Sequence, residues 1–218
     1  MYKEITFNID KHILNIFTSK NIDEILKLYN IDKHYYLNQI HSNKIHIVDD
    51  KYINGSDGDA LITNKINTPL IIKTADCIPI VIYDKENKVI AAIHSGWKGT
   101  LNNIVINTIK IMKEKFNCQK ENIYVYLYPS IRRCHFEVKQ DVYLEFKNKI
   151  VNIDNYVLKK ERSYYIDLQQ IVKDNIKLLG INNIIDSNIC TYCYHDKFYS
   201  YRYNKTNKRN ILFVMIKE

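Results

Sequence analysis

At 218 residues, 46% of them hydrophobic, the chain can bury one sizeable core, and a single domain over residues 1–218 is expected. Five glycines and three prolines leave little for a flexible linker, and the apolar fraction excludes a disordered chain. The net charge of +8 is spread along the sequence with no arginine-rich block and no common nucleic-acid signature, so the basicity fits an anionic small substrate rather than nucleic acid.

Met1 to Asp10 alternates polar and apolar residues without a signal-peptide core, and no apolar run approaches the ~20 residues that span a bilayer. Five cysteines without a framework spacing point to a cytoplasmic protein with reduced thiols and no membrane partner. Tyr2 to Ile9 and Ile13 to Thr18 read as strands. Ser19 or Asn21 caps a helix from Ile22 to Tyr29, with Asp23 and Glu24 well placed in its first turn. After the Ser42-Asn43 turn, Lys44 to Val48 is a strand with His46 facing solvent, and His41 sits at the edge of the turn. The turn cluster Asn54-Gly55-Ser56-Asp57-Gly58-Asp59 lacks the spacing and glutamate of an EF-hand; it reads as a tight backbone feature in which Asp57 or Asp59 bonds nearby amides. Ala60 to Thr63, Pro69 to Lys73, Ile78 to Tyr83 and Val89 to Ile93 are further strands, which together indicate a sheet-rich α+β protein.

From Thr100 the period changes. Leu101, Ile104, Val105, Thr108, Ile109, Met112 and Phe116 share one face of a helix ending near Asn117. Ile123 to Tyr128 is a strand, Pro129 to Cys134 a loop with two arginines and a thiol, Glu137 to Lys149 a helix, and Lys159 to Ser163 a charged loop. Tyr164 to Ile166 is a short strand. Asp167 and Gln170 form a capping box opening a helix that stops at Gly180; Ile184 to Ile189 and Ile211 to Ile216 return to sheet. Cys190-Thr191-Tyr192-Cys193 is a CxxC, but a structural zinc needs a second pair at matching spacing and the sequence offers none, so two partly buried thiols are expected there.

The chemistry concentrates in Thr74-Ala75-Asp76-Cys77-Ile78-Pro79 and Ala91 to Thr100. A thiol at the start of one hairpin strand and an imidazole at the end of the next, His94, become neighbours in an antiparallel pair. Such a pair serves either as a thiolate with its base or as two metal ligands, and His41 adds a third donor at a strand end. Three N/S donors with one position open are the arrangement of a catalytic zinc.

Six ordered stretches resemble one family: Asn38-Gln39-Ile40-His41; Asp57-Gly58-Asp59-Ala60-Leu61-Ile62-Thr63; Thr74 to Pro79; Ala91 to Gly99; Pro129-Ser130-Ile131 with Cys134, Glu137 and Val138; and Cys190-Thr191 with Phe198-Tyr199-Ser200-Tyr201-Arg202. On these the chain is identified as a member of the laccase-domain family, once called multicopper polyphenol oxidases and now associated with purine nucleoside phosphorylase activity. The resemblance implies a four-layer α/β/β/α sandwich, like that of a cytotoxic-necrotising-factor-type toxin deamidase. It also implies one zinc on His41, Cys77 and His94, and phosphorolysis of adenosine, inosine, guanosine and methylthioadenosine with deamination of adenosine. This chain departs from the family pattern at Ser42, Ser95, Lys98, Tyr128 and Tyr203.

In that reading phosphate attacks C1′ of the ribose while the purine departs. Arg202, Arg209 and Lys98 are the candidates to orient phosphate, with Lys44 behind them. Cys77, His94, Asp76 and Arg202 are the expected catalytic set, Asp76 as proton carrier or as orienter of a histidine. A monomer or weak dimer is expected. The rivals are a cysteine hydrolase using Cys77 and His94, and a copper-dependent polyphenol oxidase, for which a chain with seven histidines lacks several histidine-rich copper sites.

Overall fold

A computed structural model describes residues 4–161 and 163–218. Tyr2 and Lys3 of the expected first strand, and Arg162 of the expected charged loop, lie outside the described residues. β1 (Glu4–Ile5) and β2 (Ile13–Thr18) pair antiparallel, and α1 (Ile22–Leu28) follows, with the Asn21 side chain accepting the Asp23 amide at 3.3 Å. β3 (Ile45–Ile47), β4 (Ala60–Thr63), β5 (Leu70–Thr74), β6 (Ile78–Asp84) and β7 (Val89–Ser95) come next.

The helix expected from Thr100 is two helices, α2 (Trp97–Leu101) and α3 (Ile104–Phe116). Asn103 between them takes φ 57°, a left-handed conformation that asparagine tolerates better than most residues and that an α-helix cannot pass through. β8 (Ile123–Leu127) is followed by β9 (Glu137–Val138), where the sequence reads as helix. α4 (Gln140–Lys149) starts only after this strand; the apolar Val138 is drawn into a small sheet opposite Tyr164. β10 (Val157–Lys160) and β11 (Ser163–Ile166) complete that sheet in place of the charged loop. α5 (Leu168–Leu178) carries the expected cap, Asp167 accepting the Gln170 amide at 3.0 Å, whereas the Gln170 side chain donates to Asp174 instead of returning to the cap. β12 (Ile184–Asp186), the four-residue α6 (Tyr201–Asn204) and β13 (Asn210–Ile216) end the described chain.

A six-stranded sheet in the order β12-β8-β6-β7-β4-β3 lies beside a four-stranded sheet in the order β1-β2-β13-β5. β6 and β7 are buried along their whole length, which is why both read as continuous apolar runs rather than alternating ones. Their parity assigns the layers. Ile78, Ile80 and Ile82 pack with Ile104, Ile109, Met112 and Ile176 of the helices, while Val81 and Tyr83 pack with Phe17, Ile72 and Leu212 of the second sheet. Ile25 of α1 covers the far face through Ile71, Ile211 and Phe213. The layers are therefore helices, sheet, sheet and helix. No helix among the described residues is long and apolar enough to cross a membrane.

One half-buried ion pair ties the edge of the large sheet to the loop after β8. Arg132 Nη2 donates to Asp186 Oδ1 and Oδ2 at 2.9 and 2.8 Å, and Lys173 Nζ stands 3.3 Å from Oδ2. Burial pushes the Asp186 carboxyl up, but Arg132, the Asn188 amide and Lys173 together bring it below its ordinary value. A depressed carboxyl contributes stability above the unfolded value of 3.8 and loses it as pH falls through the folded one. Asp186→Asn is accordingly expected to cost about 2 kcal/mol at pH 7 in urea melts, with the gap to wild type narrowing below pH ~4. An equal gap at both pH values would refute this account.

Candidate metal centre

The β6–β7 register pairs Ile78 with Ser95 and Pro79 with His94, so Cys77, one residue before β6, lies across from Gly96. A Cβ on Gly96 would sit 3.2 Å from Cys77 Sγ and 3.0 Å from His41 Cδ2; glycine is what lets the thiol and the imidazole approach this turn. His41 is delivered by the loop between α1 and β3. The Gln39 side chain pins that loop to β5 by bonding both the carbonyl and the amide of Lys73 at 2.8 Å. His41 itself takes a left-handed φ of 59°. The donor atoms of His41, Cys77 and His94 all lie within 4.8 Å of one another, with His41 Nε2 3.9 Å from Cys77 Sγ and the two rings edge-on at 4.8 Å.

Asp59, fully buried in the Asn54–Asp59 turn cluster, organises this geometry. Its Oδ1 accepts His94 Nδ1–H at 2.7 Å and the His41 amide at 3.1 Å; its Oδ2 accepts the Ser42 amide at 2.6 Å and the Ser42 hydroxyl at 2.7 Å. Burial raises the Asp59 carboxyl, and His94 with the two Ser42 donors outweighs it, so the group is held below its ordinary value. An ionised Asp59 commits His94 Nδ1 as donor and leaves Nε2 to face the thiol. Burial also works against charge on Cys77 and His94, yet each stabilises the other's ion: Cys77 is brought down to about 6 and His94 raised to about 9. Each charge therefore favours the other across the half-buried Cys77 and the buried His94, and a metal held on His94 Nε2 would take the place of the proton there. A thiolate and two imidazoles converging beside a glycine cradle fit a transition metal with an open position.

Residues 16–217 match the family described as multi-copper polyphenol oxidoreductase laccase. The chain belongs to this family. A purine nucleoside phosphorylase of Clostridium acetobutylicum is 36% identical over 209 residues, covering 94% of this chain and 86% of the relative. One from Campylobacter jejuni is 33% identical over 209 residues, covering 94% and 88%. The crystal structure of a Neisseria meningitidis protein shares the fold with a TM-score of 0.87 at 20% identity, over 100% of this chain and 99% of that one.

In this laccase-family chain the three donors open into a cleft of about 660 Å³ walled by Trp97, Ile131, Phe136 and Leu168, with Arg202, Arg209 and Lys73 on its rim. Arg202 Nη1 donates to the carbonyls of Glu137 at 2.7 Å and His135 at 3.4 Å, which fixes the guanidinium against the Phe136 ring. Arg209 Nη1 is tied to the carbonyls of Thr206 and Lys208 at 3.0 and 2.9 Å. Lys98 lies off the cleft wall, its Nζ over the Trp97 ring at 5.4 Å, and Lys73, which composition alone hides among many lysines, takes a place on the wall instead.

Asp76 lines the cleft but bonds elsewhere than the histidines. Its Oδ1 accepts the Thr191 hydroxyl at 2.8 Å and its Oδ2 the Arg202 amide at 2.7 Å, from a backbone held at φ 89°. The carboxylate that orients a histidine is Asp59. Asp76 instead holds the start of α6, and with it Arg202, over the cleft. His46 is also redirected: its Nε2 lies 2.9 Å from the Asp57 carbonyl, bracing the turn that carries Asp59.

Proposed function

We propose that this chain is a zinc-dependent purine nucleoside phosphorylase acting on adenosine, inosine, guanosine and methylthioadenosine, with deamination of adenosine as a second activity. One observation carries the reading: the three-donor centre and two anchored arginines share a single cleft of nucleoside size, about 660 Å³. The names of the relatives point the same way.

His41, Cys77 and His94 would hold the zinc, which when bound supplies a Lewis acid to offset the negative charge of phosphate and of the departing purine. The chain's own groups do the rest. Asp59 keeps His94 in the tautomer that presents Nε2. The aromatic and aliphatic wall excludes water and takes the flat face of the base. Arg202, already immobilised by two carbonyls, orients phosphate for in-line approach with little further entropy lost, and Arg209 adds charge at the rim.

Chromatography of adenosine and inosine incubated with metal-quantified protein tests the proposal. Free base and ribose 1-phosphate are expected only when phosphate is present, and Arg202→Ala should raise the KM for phosphate about 10–100-fold. Inosine formed from adenosine without phosphate reports the deaminase. Zinc-loaded protein that leaves every nucleoside intact overturns the proposal.

The closeness of the Cys77 thiol to the His94 imidazole, each favouring the other's charge, supports one alternative, a metal-independent cysteine hydrolase. The two separate on alkylation. Under the zinc reading, iodoacetamide modifies Cys77 only after chelation, and activity falls with the metal; a hydrolase keeps its activity in chelator and loses it to the reagent.

A further inference from the structure

The CxxC of residues 190–193 has companions. Cys134 and His135, in the loop after β8, bring a thiol and an imidazole against it, and the donor atoms of Cys134, His135, Cys190 and Cys193 all lie within 4.8 Å of one another. Cys134 Sγ is 3.8 Å from Cys193 Sγ, and His135 Nδ1 is 3.2 Å from Cys134 Sγ and 3.4 Å from Cys193 Sγ. A tetrahedron with Zn–S near ~2.3 Å and Zn–N near ~2.0 Å has S–S edges of about 3.8 Å and S–N edges of about 3.5 Å. The three edges among Cys134, His135 and Cys193 stand within about 0.3 Å of those lengths, and Cys190 Sγ lies within 4.8 Å of all three.

The backbone and the neighbours support the same arrangement. The two loops run side by side: Ser130 bridges Cys190, the Thr191 amide donates to the Ser130 carbonyl at 3.1 Å, and the Ser130 amide to the Ile189 carbonyl at 3.2 Å. The His135 ring stacks on Tyr192 at 3.9 Å and 15°, which sets its plane so that Nδ1 faces the sulfurs. Arg133 and Lys160 line the same hollow, cations suited to the net negative charge of three thiolates and an imidazole around a divalent ion. A disulfide is a poorer account. It would join two sulfurs at ~2.05 Å and leave the third thiol and the imidazole in place without a function.

We propose that Cys134, His135, Cys190 and Cys193 form a second metal site, a closed structural zinc of Cys3His type, distinct from the open three-donor centre. Four protein donors leave no position for substrate, so its work is mechanical. It locks the Pro129–Phe136 loop to the segment leading into α6. The His135 carbonyl in that loop is one of the two that receive Arg202, so the clamp also steadies the cleft rim.

The test is zinc per chain by elemental analysis of full-length protein purified without chelator or a histidine tag. Cys77→Ser, which leaves all four ligands intact, is expected to retain one zinc, and Cys77→Ser/Cys193→Ser none. Cobalt(II) added to metal-stripped, reduced Cys77→Ser protein should give the visible d–d and thiolate charge-transfer bands of a tetrahedral thiolate site, and the double variant should not. Cys193→Ser alone should lower the melting temperature and the zinc content by one. Cys77→Ser protein without zinc and without cobalt bands overturns the proposal whatever happens to the first centre. An intact mass two hydrogens lower, mapping to a bond among these cysteines in freshly reduced and desalted protein, overturns it as well.

Discussion

Asp59→Ala is expected to lower zinc affinity at the His41–Cys77–His94 centre by about 100-fold and to cost roughly 3–5 kcal/mol of folding stability. Both effects follow from the same four hydrogen bonds. The variant strands the part-buried amides of His41 and Ser42 and frees the His94 ring to turn over or exchange tautomers. It also removes the anion that, with Cys77, raises His94, so the imidazole titrates lower. Asp59→Asn separates the two effects. It keeps the volume, but one end of an amide is a donor, so either His94 Nδ1 or the two Ser42 donors must face an N–H. Equilibrium dialysis for zinc, urea melts and the 15N shifts of His94 read the three consequences separately. Wild-type zinc affinity in Asp59→Ala would remove Asp59 from the account of the centre.

The sequence made much of this architecture legible because the governing signals are local. β2 and β4 fall where their apolar β-branched runs lie, and α5 begins at its Asp167 cap. Elements that depend on partners were harder to see. β9 reads as helix until Tyr164 and Tyr165 of β11 are brought alongside, and the break at Asn103 carries only the weak signal of paired asparagines. At the site, His41, Cys77 and His94 are nominated by strand-end position and by family resemblance, and the structure brings the three together.

The orienting carboxylate is a different matter. Asp76 adjoins Cys77 in sequence and so draws attention, but a left-handed backbone turns its carboxylate toward Thr191 and Arg202. Asp59 comes from a turn 35 positions before His94, a relation that only the β4–β7 pairing creates. The signal available was the Asn54–Asp59 cluster itself, in which two aspartates beside two glycines imply carboxylates bonded to nearby amides. The Cys134–His135 pair was hidden for the same reason. Its partner Cys193 is 59 positions away, and adjacent ligands do not match the spacing of a zinc ribbon.

Gly96→Ala should weaken metal binding at the His41–Cys77–His94 centre while leaving the fold nearly intact. The backbone at Gly96, φ −74° and ψ 175°, suits any residue, so no conformational strain is introduced. Loss of glycine at the start of α2 costs at most about 1 kcal/mol. What changes is space. The new methyl would lie 3.0 Å from His41 Cδ2 and 3.2 Å from Cys77 Sγ, so the donors must retreat by a few tenths of an ångström. Displacement on that scale matters to a coordination sphere far more than to a hydrophobic core, so zinc affinity is expected to fall at least tenfold. Gly180→Ala is the converse case. At φ 76° its backbone disfavours a side chain, and it ends α5, so about 1 kcal/mol of stability is lost with zinc content unchanged. Measured together by calorimetry and elemental analysis, the two alanines should move in opposite columns. If Gly96→Ala instead melts early with full zinc, the glycine serves the turn and not the metal.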